Sequence, residues 1–272
     1  MYYLTCMKLE LIIWWFFLYS IVGYIAEVLY CSVIEKRVVN RGFLQGPYLP
    51  IYGFGSLVVI LFLVPWANSP IALFIFSTLA TSLVEYLGSY LLELVLHVQL
   101  WNYRQRKFNI DGRIYPTNSL LFGLLSVVVV YGIHPFITRY LLYMPEQTLR
   151  YGSSIILIII SVDTTYSTFT FHAFQQELVQ FKERIKELEK RLHLTFHLSP
   201  SQKRVELRKK VKTDIEELRE KLFNSGKSIL SRFPTITSKD EEKRRLLNQL
   251  RDKHHHRKKQ TQTKKKNQRK KN

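Results

Sequence analysis

Five stretches of this chain are apolar over enough residues to cross a lipid bilayer, and that one feature decides most of what it can become. They fall roughly at Leu9–Ile34, Leu49–Val64, Ile71–His97, Ser119–Leu142 and Gly152–Phe174. A single soluble globular domain is excluded. In hydrocarbon every backbone polar group must be paired within the protein, so such runs fold as helices. The expected fold class is therefore all-α, a polytopic membrane bundle of about five spans. At ~1.5 Å per residue the second run reaches only ~24 Å, against ~30 Å of hydrocarbon. It reads as a full crossing in thinned lipid, with a re-entrant element as the alternative. The first run is too long for a signal-peptide core and lacks a basic n-region, so it stays as a helix.

Charge sets the direction. The chain carries a net +19, and all but +2 of it falls in residues 175–272. Within the apolar part, Lys36, Arg37 and Arg41 follow the first run, and Arg104, Arg106, Lys107 and Arg113 follow the third. The opposite links are nearly free of basic residues. The positive-inside bias places the N-terminus outside and the C-terminus in the cytoplasm. With only Cys6 and Cys31 present, ~37 Å apart along one helix, no disulfide framework exists.

Ionisable groups inside a span are costly, so their positions carry information. Glu27 shares a helical stripe with Ser20, Gly23, Tyr24 and Cys31. Glu85 shares one with Thr78, Ser82, Ser89 and Glu93, and Asp163 one with Tyr166, Ser167 and Thr170. The other faces are Leu, Ile, Val and Phe. Three polar, small-residue faces are thus expected to meet inside the bundle. They serve either as hydrogen-bonded glue or as the lining of a cavity for a solute or ion.

A second concentration is NRGFLQGPYLPIYGFG, residues 40–55, with two Pro and four Gly. Gly46-Pro47 and Leu49-Pro50 oppose regular helix ahead of the second span. This segment is expected to fold against the bundle at the cytoplasmic interface, with Asn40 and Arg41 presented there. Arg suits bidentate contact with phosphate or carboxylate. The link WNYRQRKFNIDGRIYPTN (101–118) adds interfacial aromatics at Trp101 and Tyr103, a turn at Asp111-Gly112, and Asn109 with Arg113. Candidate substrate-binding residues are accordingly Glu27, Glu85, Glu93, Asp163, Asn40, Arg41, Gly46, Pro47, Asn109 and Arg113. The charged ones on the cytoplasmic side suit either an anionic or zwitterionic headgroup or a plain salt-bridge network.

The stretches YSIVGYIAEVLYCS (19–32), VVNRGFLQGPYLPIYGFG (38–55), EYLGSYLLE (85–93), WNY (101–103) and FNIDGRI (108–114), with Ser119, Phe122-Gly123, His134-Pro135 and Asp163, resemble the bacterial ABC-transporter permease family of the CmpB type. Asn102 stands where that family usually carries Asp, and the basic tail lies outside the shared core. The resemblance implies a multi-pass protein of the bacterial inner membrane, and its label names no substrate. The chain has no nucleotide-binding loop: Gly226-Lys227-Ser228 lacks the leading Gly, with Lys221 in its place. A permease role therefore implies a separate ATPase subunit. No cofactor motif, metal-ligand spacing or catalytic pair stands out; His97, His134 and His172 are far apart in the pattern.

Past the last span, Phe174, Leu178, Phe181, Ile185, Leu188 and Leu192 recur at heptad spacing. One long helix is expected to about Leu194, a break at Ser199-Pro200, a second helix to about Asn224 ended by Gly226, and a weaker third over Lys239–Leu250. The seam suits either a folded-back hairpin or a homodimeric coiled coil. Residues 251–272 are low in apolar residues and expected to be disordered, drawn to anionic lipid. The domains read as 1–174 membrane, 175–224 cytoplasmic helical, and 225–272 basic tail. Three functional readings follow: a permease subunit for a small or amphiphilic solute, a membrane enzyme acting on lipid at the inner leaflet, and a non-catalytic scaffold or sensor.

Overall fold

The structure is a computed structural model that describes residues 9–35, 42–66, 68–198 and 201–254. Its elements are helices: α1 Leu9–Glu35, α2 Pro50–Val58, α3 Pro70–Leu96, α4 Pro116–Val128, α5 His134–Tyr143, α6 Glu146–Leu198 and α7 Ser201–Arg232. Residues 241–254 are also helical, and no strand occurs among the described residues. Four helices, within Leu9–Val33, Pro70–Leu96, Pro116–Tyr143 and Glu146–Lys190, are long and apolar enough to cross a membrane. The stretch Pro50–Leu63 is apolar but shorter. The chain divides into two compact units, Met1–Ser167 and Thr168–Asn272.

In the first unit, the helix starts follow local chemistry. Ser69 caps α3 by accepting the Ala72 N–H at 3.0 Å, and Pro70 opens its first turn. At its far end His97 turns left-handed, φ 54°. Two helices then change pitch. A π turn over Val59–Leu63 follows α2, and a 3-10 turn over Val64–Trp66 completes it. A second π turn over Val129–Ile133 joins α4 to α5. Each lies just ahead of a proline, Pro65 and Pro135. A proline has no N–H to donate back and its ring crowds the carbonyl four residues earlier, here Leu61 and Tyr131, so the ladder widens there. The two π turns meet: Val59 and Val130 pack with Leu73 in one buried cluster.

The helices approach closely where side chains are small. A Cβ on Gly123 of α4 would lie 2.0 Å from Thr78 Oγ1 and 3.1 Å from the Phe74 carbonyl oxygen of α3. Such close contact drives helix association where lipid removes any hydrophobic preference. Gly123→Ala is expected to destabilise by about 1–3 kcal/mol, the overpacking range. Thermal unfolding in nanodiscs checks it, and Thr78→Ala in the same chain is expected to recover part of the loss.

The segment before α2 departs from the expected interfacial position. Leu49 donates its N–H to the Ser20 carbonyl at 2.9 Å. Ser20 lies ~16 Å along α1 from Leu9 and ~22 Å short of Glu35. Residues 42–49, without helix, therefore reach the middle of α1. Backbone of that kind is tolerated at such depth only when protein or water pairs it.

In the second unit, Phe174, Leu178 and Phe181 are buried. The expected helix end at Gly226 is corrected, because α7 runs through it to Arg232. A Cβ on Gly226 would sit 2.3 Å from the Phe174 ring, so this glycine admits an aromatic ring rather than ending a helix. Ser225 donates to Glu177, the Phe171 and Phe233 rings lie 6.4 Å apart, and Lys182 pairs with Glu242. Residues 251–254, read from sequence as the start of a disordered tail, are helical: Lys253 pairs with Glu220, and His254 is buried beside the Phe223 ring at 6.0 Å. The expected break at Ser199-Pro200 and the tail from 255 onward lie outside the described residues.

Candidate functional site

The four acids have different hydrogen-bond partners, and those of Glu27 and Glu85 lie side by side. Asp163, on α6, holds the deep segment. It accepts the N–H groups of Gln45 and Gly46 at 2.9 Å each, the Tyr48 hydroxyl at 2.6 Å, and the Ser167 hydroxyl at 3.1 Å. A carboxylate is suited to this because it is purely an acceptor with room for about four hydrogens. Gly46 thus contributes a backbone donor, and Pro47 follows it, exposed.

Glu27, on α1, accepts the Tyr52 hydroxyl at 2.7 Å and the Cys31 thiol at 3.3 Å. Tyr52 belongs to the first turn of α2, and its ring meets Phe122 edge-on at 5.4 Å. Glu85, on α3, accepts the Asn118 side-chain amide at 2.9 Å through Oε1. It is 4% exposed, and its Oε2 has no hydrogen-bond partner. Tyr52, Glu85, Thr81, Ser56, Ser126 and Phe122 line one cavity between α2, α3 and α4, of about 40 Å³. That volume holds a few water molecules, where drug-sized ligands occupy roughly 300–1,000 Å³. The faces of Glu27 and Glu85 therefore meet across Tyr52, as the stripes suggested, and the face of Asp163 serves the loop instead.

Glu93 forms a network with Arg113. The two make a salt bridge, and their side chains are 12% and 4% exposed. Arg113 Nη1 donates to Ser89 at 3.0 Å, and Gln99 donates to Glu93 at 3.2 Å. The guanidinium also lies 5.7 Å from the Tyr86 ring centroid and 5.5 Å from that of Tyr90. Arg113 is thus closed within the protein in a salt-bridge network, one of the two readings that its sequence position left open. Asn109 donates to the Arg104 and Arg106 carbonyls and accepts the Gly112 N–H, folding its own link. Trp101 donates to the Arg113 carbonyl at 3.1 Å, and so pins that link as well. Asn40 and Arg41 lie outside the described residues. Among the described residues no three His, Cys, Asp or Glu side chains gather as a metal-ligand set.

Sequence reasoning missed Tyr48, Tyr52 and Asn118, each the partner of an acid. On α3 the expected stripe holds at Glu85 and Ser89, which are buried, but nearer the helix start the buried positions are Ser77 and Thr81 rather than Thr78 and Ser82. The signal available was the run of four-residue spacings through those small polar residues.

Four helices long and apolar enough to cross a membrane, packed with carboxylates between them, define a multi-pass membrane protein. The chain belongs to the family described as "Putative ABC-transporter type IV", of the CmpB type, whose pattern matches residues 14–168. No curated protein and no solved structure matches the chain.

Proposed function

We propose that this chain is the permease subunit of a transporter for a small or amphiphilic solute, energised by a separate ATP-hydrolysing subunit. The observation that carries this reading is the juxtaposition of an Asp163-held loop at mid-depth with the Glu85 cavity. Broken backbone beside intramembrane acids is the architecture of a solute path, and a simple anchor has no need of it. The present arrangement is closed to any organic solute, so passage requires α2, α3 and α4 to part. The paired π turns at that same interface supply a place where the helices yield.

In this reading the chain lies in the bacterial inner membrane, with its N-terminus outside and its C-terminus cytoplasmic. Residues 50–66 form the short fifth crossing, which begins at mid-depth because residues 42–49 have already entered. The membrane domain extends to about 174. Burial of Phe174, Leu178 and Phe181 beside α7 supports a helical hairpin over a dimer seam. The basic tail lies against anionic lipid. Closure of Arg113 on Glu93 takes one of the candidate cations for a lipid headgroup out of reach, and this favours transport.

Gentle co-purification of the full chain from native membranes, with mass spectrometry of what accompanies it, tests the reading. An ATP-binding subunit is expected in stoichiometric amount. Recovery of the chain alone, under conditions that keep a control transporter complex together, would overturn it.

A further inference from the structure

We infer that the Glu85 cavity is a binding site for a single positive charge, taken either as an alkali cation or as a proton held on the carboxyl group. The lining is largely apolar, with Ile51, Val84, Phe122, Leu125 and Val129 beside the carboxyl group of Glu85, and three of its hydroxyls give their hydrogens elsewhere. Thr81 donates its hydroxyl to the Ser77 carbonyl at 2.6 Å, and Ser126 donates to that of Phe122 at 2.8 Å. Tyr52 gives its hydroxyl hydrogen to Glu27. Asn118 spends its amide on Glu85 Oε1, and Oε2 is left with no partner. The hydroxyl oxygens of Thr81 and Ser126, which line the cavity, keep acceptor capacity after those bonds.

A carboxylate buried in such a place is strongly disfavoured unless a positive charge or a proton compensates it. No Lys or Arg pairs with Glu85 among the described residues. We therefore assign the compensating charge to a bound ion or proton. One carboxylate and neutral hydroxyls suit a monovalent ion; divalent cations take more carboxylate or phosphate oxygen. The cavity volume of about 40 Å³ admits a small ion with a little water and excludes organic cations. Glu85 sits ~22 Å into α3, near the middle of its length, where intramembrane acids mark ion and proton pathways.

This goes beyond the transport reading by naming a ligand, and it is read on purified protein without solute or ATPase. Failure of one therefore leaves the other standing. Full-length protein in nanodiscs is exposed to radioactive sodium and rubidium in a choline background, and bound counts are read by scintillation proximity. In parallel, infrared spectra in choline alone are followed against pH for a protonated-carboxyl stretch.

The alkali arm expects saturable binding that drops at least ~10-fold in Glu85→Gln and several-fold in a Thr81→Val, Ser126→Ala double variant. The proton arm expects a protonated-carboxyl band that is lost in Glu85→Gln and moves in frequency in the double variant. The double variant keeps the carboxyl group, and so keeps the test open if Glu85→Gln folds poorly. Absence of both signals, or signals unchanged in both variants, overturns the inference and leaves a cavity that holds water alone.

Discussion

Replacing Asp163 by Asn is expected to release residues 42–49 from the middle of the bundle. The carboxylate accepts four hydrogens, two from the loop backbone, one from Tyr48 and one from Ser167. An amide keeps one acceptor oxygen and turns an NH₂ toward groups that are themselves donors. Hydrogen bonds to a charged acceptor each contribute about 1.5–3 kcal/mol, and stranded donors add their own desolvation penalty. A loss of about 3–5 kcal/mol in local stability is the expected size, since the loop can recover some bonds with water. Hydrogen exchange in nanodiscs reads it directly: amides of 42–49 should exchange ~10²–10⁴-fold faster, with α1 and α3 little changed. Tyr48→Phe removes one bond of the four and should show a smaller step in the same peptides. If exchange in Asp163→Asn matched the parent protein, the carboxylate would not be what holds the loop. The solute path proposed above would then lose its structural basis.

How much of this was legible in the sequence depends on how far each cause lies along the chain. The long spans were legible because apolar content is local: α1 and α3 end within a residue or two of their expected limits. The start of α2 at Pro50 was legible from Leu49-Pro50. The depth of the preceding loop was not. It depends on Asp163, more than a hundred residues on, and nothing in Gln45 or Gly46 marks their N–H groups as bound there. Tyr48 and Tyr52 were read past because aromatic residues near a membrane usually sit at the interface, and here each hydroxyl serves a buried acid instead. Gly226 failed as a helix stop for a related reason: local propensity was overruled by the Phe174 ring that needs the space. The π turns had a visible cause in Pro65 and Pro135, but pitch changes cannot be read from hydropathy alone. Among the candidate site residues, the acids were found by the cost of burying them, and their partners were not, because a neutral Tyr or Asn carries no such cost.

Glu93→Gln is expected to be among the most destabilising single changes in the membrane unit, and a matched second change should largely repair it. The Arg113 side chain is 4% exposed and depends on Glu93 for its countercharge. Without Glu93 the guanidinium keeps Ser89 and the faces of two tyrosines, and its Nε has no partner even now. Removing one member of a buried pair costs about 3–5 kcal/mol, because the other charge is stranded, whereas replacing both by apolar groups of similar volume is often near neutral. Thermal unfolding of Glu93→Gln, Arg113→Met and a Glu93→Leu, Arg113→Met double variant should therefore show two large losses and one small one. The coupling should persist at high salt, since a pair this enclosed is weakly screened. The same three proteins separate two meanings of this cluster. A structural clamp predicts that the double variant, once stable, keeps its partner subunit and its transport. A site that recognises a headgroup or performs chemistry predicts that activity stays lost although stability returns. Recovery of both together would mean that this buried charge pair holds the end of α3 against its following link, which leaves the Glu85 cavity and the Asp163 loop to carry function.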